Sequence, residues 1–302
     1  MKIKQWAAFG MLGLVWGSSF LWIKIAVQEV GPFTLVAFRL LFGVLGLLVI
    51  MRWQRQSFPR DRRTLLAYLF MGVVNTAVPF VLISWGETKI DSGLASILNG
   101  TVPLFTIVIA HYWLHDEKIT VGRLAGLAVG FVGVVVLVSR DFGPQGLHGN
   151  VWGQLAVIAA SICYATAITF SRRHLRNQPP VVQSFMVLLI ADAVIWPATL
   201  MVDRPFHLPQ LPVTWLALAW LGLLGSCFAY LMFFYLINTW GPTRASLVTY
   251  VFPVIGVILG IVFLKEVADW RLIVGTLLIA GAVLAVNNPF AAKPALAASV
   301  AD

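Results

Sequence analysis

Ten apolar runs, each about as long as a membrane crossing, are the feature that most constrains this chain. A hydrocarbon core about 30 Å thick needs roughly 20 apolar residues per helix. Short gaps with charged residues, proline or glycine separate the runs. We predict an all-α integral membrane protein with ten spans, numbered in chain order, at residues 6–26, 34–51, 65–85, 93–114, 121–138, 151–170, 181–200, 215–237, 244–264 and 270–287.

The composition indicates that lipid is the main solvent. Of the 302 residues, 60% are hydrophobic and 11% are charged, whereas soluble domains carry about 25% charged residues. Lys2 and Lys4 precede the first run as in a signal peptide, but that run is too long and lacks an A-x-A cleavage site. Cys163 and Cys227 lie inside apolar runs, so neither a disulfide framework nor a CxxC metal site is expected.

Several functional classes lack their sequence signatures. The chain has no Walker A motif, HExxH pair or G-x-S-x-G elbow, so we expect no use of ATP, no metal, no cofactor and no catalytic residues. The net charge of +9 could indicate nucleic acid, but the basic residues lie in short gaps without interleaved aromatic residues. The expected partners are a small-molecule substrate and the lipid bilayer, and no nucleic acid.

The basic residues in the gaps predict the orientation of the chain. If the amino terminus is cytoplasmic, fourteen lysines and arginines lie in gaps on the cytoplasmic side and six on the outside, while Arg39 lies within a span. Cytoplasmic loops carry the excess of such residues. Both termini are therefore expected in the cytoplasm.

The two halves of the sequence resemble each other. Residues 92–117 align with residues 242–266, so that Ala95-Ser96 matches Ala245-Ser246, Pro103 matches Pro253 and Glu117 matches Glu266. Upstream, Gly72 matches Gly222, residues 80–85 match residues 230–235, and Trp16 and Lys24 match Tyr164 and Arg172. Because each half has an odd number of spans, five, the second copy is inverted in the membrane. Inverted repeats are an architecture of alternating-access carriers. We predict repeats at 1–145 and 146–290, followed by a disordered tail at 291–302.

The same features also resemble a known family. WGSSF in span 1, the proline-containing spans 4 and 9, the glutamates that follow them and the glycine pattern of the next spans are similar to EamA-type transporters of the drug/metabolite transporter superfamily. The resemblance covers about residues 1–288. It implies a five-plus-five inverted repeat in a bacterial inner membrane and export of small metabolites, with amino-acid exporters as the best-known branch. It also implies a cavity among spans 1, 3, 4, 6, 8 and 9, with the other spans peripheral.

Polar and aromatic residues in the inner spans are candidates for lining this cavity. An unpaired polar group is costly in lipid, so such groups are expected to face protein or a wet cavity. Hydrogen bonds between helices are the alternative role for each of them. The candidate cavity residues are Trp16, Ser19, Asn75, Phe80, Trp85, Asn99, Thr101, Tyr164, Ser226, Tyr230 and Tyr250.

A second group of residues is predicted to act in gating. Proline removes a backbone donor and bends a helix where a hinge is needed, so Pro79, Pro103 and Pro253 are hinge candidates. Lys24 and Arg172 end equivalent helices and are gate candidates. Glu117 and Glu266 are expected to pair with neighbouring charges and to fix the loops.

Two charged residues lie within spans. From the helical rise, Arg39 lies about 10 Å and Asp192 about 12 Å from the outer face. This match predicts a structural ion pair between them. The alternatives are that the side chains snorkel to the outer face, or that Asp192 relays a proton coupled to transport.

We expect a secondary transporter that exports small metabolites, above all neutral or aromatic amino acids, by alternating access. Export of drugs or other metabolites is an alternative, as are a membrane-embedded enzyme that acts on lipid and a passive channel. Both proton coupling and facilitated diffusion remain open. The small-residue face at Gly122, Gly126 and Gly130 could pair two chains, so either a monomer or a weak homodimer is expected.

Overall fold

A computed structural model describes residues 2–113, 119, 121–139, 142–143, 146–147, 150–175, 178–240, 248–249, 251–267 and 269–286. Of the predicted features, Glu117, Tyr250 and the tail at 291–302 lie outside these residues. The described chain is almost entirely helical, and its only strands are the short antiparallel pair Phe142–Gly143 and Gly146–Leu147.

Within the described residues the chain forms the ten predicted spans, and the predicted fold is confirmed. Seven of them are long and apolar enough to cross a membrane, and spans 5, 9 and 10 are shorter apolar helices. The helices of spans 1 to 5 are Lys2–Ala26, Pro32–Trp53, Arg62–Met71 with Val78–Glu87, Ser92–Asn99 with Val102–Trp113, and Val121–Val138. Those of spans 6 to 10 are Asn150–His174, Pro180–Val202, Pro212–Ala219 with Ala229–Trp240, Val251–Leu264 and Trp270–Val286.

Local sequence explains where several helices begin. Pro32, Pro180 and Pro212 start spans 2, 7 and 8, positions where the missing backbone N–H costs no helical hydrogen bond. Asp61 caps span 3, because its Oδ1 accepts a hydrogen bond of 2.8 Å from the backbone N–H of Thr64. That bond holds the pKa of Asp61 below its usual value.

Spans 3 and 8 share an unusual feature at equivalent places. Span 3 contains a π-helical segment at Gly72–Ala77, and span 8 contains one at Trp220–Phe228. Gly72 and Gly222, which the sequence aligns, both lie at close helix contacts. A Cβ atom on Gly72 would lie 2.8 Å from Ile190, and one on Gly222 would lie 2.7 Å from the backbone oxygen of Arg39. π-helical turns often occur at functional sites.

The two halves are inverted relative to each other. We call the end of the bundle where span 1 finishes the distal end. Lys24, near the end of span 1, contacts the end of span 3 at Glu87. Gly86 beside it packs on Gly153, near the start of span 6, so closely that a Cβ on either glycine would lie 2.9 Å from the other's backbone oxygen. The second half therefore starts at the end where span 1 of the first half finishes.

The packing of the spans repeats when the halves are exchanged. Span 1 packs on span 9, and its equivalent, span 6, packs on span 4. Span 3 packs on span 6, and span 8 likewise packs on span 1. Span 2 packs on span 8, and span 7 likewise packs on span 3. The remaining main pairs, 2 with 7, 4 with 9 and 5 with 10, join equivalent spans. Spans 5 and 10 are peripheral as expected, whereas span 2 reaches the interior.

Candidate substrate site

Aromatic rings from three spans meet around Trp16. Its ring centre lies 5.2 Å from that of Phe233, 5.8 Å from that of Phe252 and 6.3 Å from that of Tyr230. Its Nε1 donates a hydrogen bond of 3.0 Å to the backbone oxygen of Gly225. Trp16 lies ten residues before the end of span 1, hence about 15 Å from the distal end and near the middle of the bilayer.

A polar cluster joins the two halves beside these rings. The Tyr230 hydroxyl lies 3.2 Å from Thr76 Oγ1 and accepts a hydrogen bond of 3.3 Å from Asn75 Nδ2. Asn75 and Thr76 belong to the π-helical segment of span 3, and Tyr230 follows that of span 8. Asn75 and Trp16 are only half-buried, so donor, acceptor and ring surface are not sealed by packing.

Arg39 reaches this region from span 2. Its side chain is 4% exposed, its Nε donates a hydrogen bond of 3.1 Å to Ser226 Oγ, and its Cζ lies 3.8 Å from the centre of the Phe80 ring. Tyr164 and Tyr230 lie within its electrostatic reach. The site thus contains a buried guanidinium, which sequence reasoning had assigned elsewhere.

The predicted ion pair of Arg39 with Asp192 is wrong. Arg39 bonds to Ser226 instead, and Asp192 lies on span 7 with its Oδ1 buried and without a hydrogen-bond partner among the described residues. Span 7 has no charge at the equivalent place. Gly43 of span 2 approaches Gly222 as Ala191 of span 7 approaches Gly72, so Arg39, four residues before Gly43, corresponds to Val187. The helical rise predicts the depth of each charge but not the direction in which it points.

Four other predicted cavity residues lie in the inner spans and differ in their hydrogen bonds. Tyr164 is half-buried near Arg39, and Asn99 Oδ1 accepts a long hydrogen bond of 3.5 Å from Ser161. Ser19 and Thr101 are buried and donate to carbonyls of their own span, at Val15 and Leu98.

Trp85 is not brought to the site. It is 38% exposed beside Lys89. Phe80 and Trp85 lie five residues apart, which is about 140° around a helix. The two side chains therefore cannot face the same cavity.

Sequence reasoning missed Thr76, Phe233 and Phe252, besides Arg39. Thr76 matches Ser226 in the repeat and adjoins Asn75, so its equivalence to a predicted residue was a usable signal. Phe252 adjoins Pro253. Phe233 had no distinguishing signal, because span 8 contains many aromatic residues.

Two of the three predicted hinge prolines lie next to irregular backbone, and Pro253 lies in the first turn of the helix Val251–Leu264. Pro79 follows the π-helical segment of span 3, and Pro103 follows the break between Asn99 and Val102 in span 4. A Cβ on Gly100 at that break would lie 3.2 Å from Pro253 of span 9. Arg172 is half-buried near the end of span 6. The irregular backbone beside Pro79 and Pro103 allows spans 3 and 4 to bend.

At the distal end, Lys24 and Glu266 bind the ends of helices. Lys24 Nζ donates hydrogen bonds of 2.7 Å to the backbone oxygens of Glu87 and Ile90, at the end of span 3. Glu266 Oε1 accepts hydrogen bonds of 2.7 Å from the backbone N–H and the hydroxyl of Ser92, and its Oε2 accepts one of 2.9 Å from Gly93 N–H. Glu266 therefore fixes the start of span 4.

Two further carboxylates act in the same way. Asp203 Oδ2 accepts hydrogen bonds from the backbone N–H and hydroxyl of Thr34 at the start of span 2, and Glu29 Oε1 accepts from the backbone N–H groups of Gln210 and Leu211 before span 8. Each carboxylate comes from the half opposite to the helix that it caps. We call Glu29, Asp203 and Glu266 the distal caps.

Comparison with known proteins identifies the chain. The model of the EamA-like transporter family matches residues 5–139 and 151–288, one copy in each half. The chain belongs to the EamA-like transporter family. It is thus a multi-pass membrane transporter of small molecules.

Relatives of this EamA-like transporter have the same extent. The uncharacterized inner membrane transporter YedA of Escherichia coli K12 is 28% identical over 267 residues, which cover 86% of this chain and 84% of YedA. The uncharacterized transporter YoaV of Bacillus subtilis is 25% identical over 272 residues, with 88% and 90% covered. One crystal structure matches with a TM-score of 0.68 at 18% identity, covering 95% of this chain and 98% of the other, and supports the fold alone.

Proposed function

We propose that this EamA-like transporter exports neutral or aromatic amino acids across a bacterial inner membrane by alternating access, with both termini in the cytoplasm. One observation carries the proposal. Aromatic rings and hydrogen-bonding groups from both halves meet at Trp16 and Tyr230, near the middle of the membrane. Binding sites for small molecules combine an apolar, aromatic wall with a few polar groups in this way.

The chemistry of the site suits a zwitterion with an apolar side chain. Trp16, Phe233 and Phe252 offer ring faces and edges, and favourable aromatic contacts contribute about 0.5–1.5 kcal/mol each beyond their buried area. Asn75 and Tyr230 offer donors and acceptors for the ammonium and carboxylate. A lipid-acting enzyme would need a nucleophile activated by a base, or clustered carboxylates, at this place. The hydroxyl groups of Thr76 and Ser226 bond to Tyr230 and to the backbone oxygen of Leu221 instead.

The distal caps suggest how access would alternate. They join the two halves at the distal end, and the distribution of basic residues supports an outward-facing position for that end. These contacts support an arrangement in which the site is closed to the outside. Release of these hydrogen bonds, with bending at Pro79, Pro103 and Pro253 and rearrangement at Lys24 and Arg172, would open it there.

Two buried carboxyl groups are candidates for coupling transport to protons. Asp192 Oδ1 and both carboxyl oxygens of Glu87 have no hydrogen-bond partner in the described part of the chain. We propose Asp192 as the coupling group, with Glu87 as its competitor. Transport driven by an imposed pH gradient in Asp192→Asn and Glu87→Gln separates them. Loss of the pH response in the first variant alone supports Asp192, and a response that persists in both variants overturns both candidates. A wild-type protein that does not respond to the pH gradient indicates facilitated diffusion.

We also propose that the chain acts as a monomer. The small-residue face of span 9 is used internally, since a Cβ on Gly256 or Gly260 would contact Ser96 or Glu266. Gly130 of span 5 packs on Leu104. Light scattering of the purified protein in detergent gives the mass directly, and a dimer would overturn this part of the proposal.

Flux into proteoliposomes tests the proposed substrate class. A panel of labelled amino acids is offered, and saturable flux that unlabelled substrate competes is the expected result. Trp16→Ala lowers this flux at least about tenfold, because it removes three ring contacts. Trp85→Ala, on the exposed face, is the matched control and leaves it unchanged.

Other outcomes select the alternatives. Flux of lipophilic drugs without flux of amino acids would replace the substrate class and keep the carrier. Flux that does not saturate would indicate a channel. Conversion of a lipid by the purified protein would indicate an enzyme.

A further inference from the structure

We propose that Arg39 binds the carboxylate of the transported molecule, an inference that rests on the proposed function. Arg39 is 4% exposed and lies within span 2, about 10 Å from its distal start. A charged arginine at the centre of a membrane helix costs roughly 2.5–3.5 kcal/mol on insertion scales. Buried charges are normally paired, yet among the described residues no carboxylate forms an ion pair with Arg39.

The contacts of Arg39 orient its guanidinium but do not use all its donors. Nε donates to Ser226, which is itself held because its Oγ donates a hydrogen bond of 3.0 Å to Leu221. Phe80 supports the planar face from one side. The two terminal nitrogens have no hydrogen-bond partner within the described chain. Such a pair of parallel donors is the group that binds a carboxylate in bidentate geometry.

Gly225 connects Arg39 to the aromatic cluster. A Cβ atom on Gly225 would lie 3.7 Å from Arg39 Nη2 and 3.3 Å from Ser19 Oγ. The backbone oxygen of the same glycine accepts the hydrogen bond from Trp16. Gly225 therefore lies between the guanidinium and the Trp16 ring, and its missing side chain leaves room there for a group about the size of a methyl. A carboxylate on Arg39 would leave the rest of an aromatic amino acid directed towards Trp16.

Neighbouring hydroxyl groups fit the same role. Tyr164 and Tyr230 lie within electrostatic reach of Arg39 and can donate hydrogen bonds to an anion. Glu87 is the acidic residue in the same reach. Its carboxyl oxygens have no described partner, so it does not bridge to the guanidinium. An incoming carboxylate would thus supply the buried positive charge with its counter-ion.

Ligand binding tests the proposal without requiring transport. The probes are 3-phenylpropionate and its amide, which share the ring and chain and differ in the carboxylate. Wild-type protein in detergent is expected to bind the carboxylate at least about tenfold more tightly than the amide, as measured by thermal shift or calorimetry. Arg39→Gln abolishes this preference, and Arg39→Lys retains part of it, because an ammonium keeps the charge but not the bidentate geometry.

Gly225→Ala provides a second variant that keeps Arg39. The added methyl group would lie at an ordinary distance from Arg39 Nη2 and 3.3 Å from Ser19 Oγ, which must shift by a few tenths of an ångström. The protein is expected to fold, while carboxylate binding weakens severalfold. Equal loss of both probes in Arg39→Gln would indicate a purely structural role and overturn the proposal, as would equal binding of both probes by the wild type. Carboxylate-selective binding without flux of any amino acid would instead overturn the proposed function and keep the site.

Discussion

The two π-helical segments occupy equivalent places in the two halves, but their side chains differ. Asn75, Thr76 and Phe80 in the first half correspond to Gly225, Ser226 and Tyr230 in the second. The backbone and the hydroxyl group of Thr76 and Ser226 thus repeat, whereas the amide of Asn75 and the phenol hydroxyl of Tyr230 do not. A site with true two-fold symmetry would present the same groups to both ends of a substrate. The difference between the halves lets this site distinguish the ends of a zwitterion.

The spans that pack against these segments differ in the same way. Arg39 of span 2 corresponds to Val187 of span 7, which is 1% exposed and apolar. Proline does not explain the shared backbone, because Pro79 corresponds to Ala229 and both halves still contain the segment. What the halves share is the close helix contact at Gly72 and Gly222. Packing therefore preserves the symmetry, and the side chains around the site break it.

The largest expected effect is the loss of stability when alanine replaces either of these two glycines. In Gly222→Ala the new methyl group would meet the Cβ of Phe42 and the backbone oxygen of Arg39, neither of which can move without shifting span 2. We expect a loss of about 2–3 kcal/mol in stability, in the range of an overpacked core. Gly72→Ala meets Ile190 at 2.8 Å and the backbone nitrogen of Ala191 at 3.2 Å, longer than the contacts at Gly222, where the backbone oxygen lies at 2.7 Å. It should cost about 1 kcal/mol. Thermal unfolding in detergent measures both, and equal losses would show that the two contacts are equivalent.

The next prediction concerns the hydroxyl group of Tyr230, which its equivalent in the first half, Phe80, lacks. Tyr230→Phe leaves Asn75 and Thr76 without their shared partner, at a cost of about 1–2 kcal/mol. Flux of the best substrate should fall about tenfold. Tyr235→Phe is the control, because Tyr235 is 37% exposed and corresponds to Trp85. If Tyr230→Phe transported normally, the polar cluster would be structural and the asymmetry would not serve recognition.

The ten spans and their inversion were predictable because length and hydropathy alone determine a membrane crossing, and five spans necessarily invert the next copy. Trp16, Asn75, Ser226 and Tyr230 were predictable because polar or aromatic groups are unusual in inner spans. The direction of Arg39 was not, nor was the direction of Trp85 relative to Asn75, from which the π-helical segment separates it. An extra residue in each π-helical turn rotates everything that follows it, so a helical face read across Gly72–Ala77 is wrong. The partner of a charge also depends on the packing of spans distant in sequence.

A third comparison sets the distal end against the centre. Glu266→Gln retains one acceptor and replaces the other oxygen with a donor that faces Gly93 N–H, so the cap should weaken by about 1 kcal/mol. The distal end should then open more often. In a variant without Cys163 and Cys227, labelling of Leu94→Cys by a membrane-impermeant maleimide from the distal side should become about fivefold faster. Leu94 is 2% exposed, so a cysteine there reacts only when the distal end opens. Unchanged labelling would show that Glu266 does not hold the distal end closed.

The smallest effect is expected for Asp61, which caps its own span and joins no other part of the chain through that bond. Asn accepts a capping hydrogen bond about as well as Asp, so Asp61→Asn should leave the unfolding midpoint and the distal labelling of Leu94→Cys unchanged near pH 7. Because Thr64 N–H lowers the pKa of Asp61, its ionised form contributes stability above its unfolded pKa of about 3.9 and loses it as the pH falls through the lower folded value. Unfolding midpoints of the variant and the wild type measured between pH 7 and pH 3 check this, since any difference should be confined to the acidic end. Faster distal labelling in Asp61→Asn would contradict the distinction between caps that join the two halves and a cap that serves one helix.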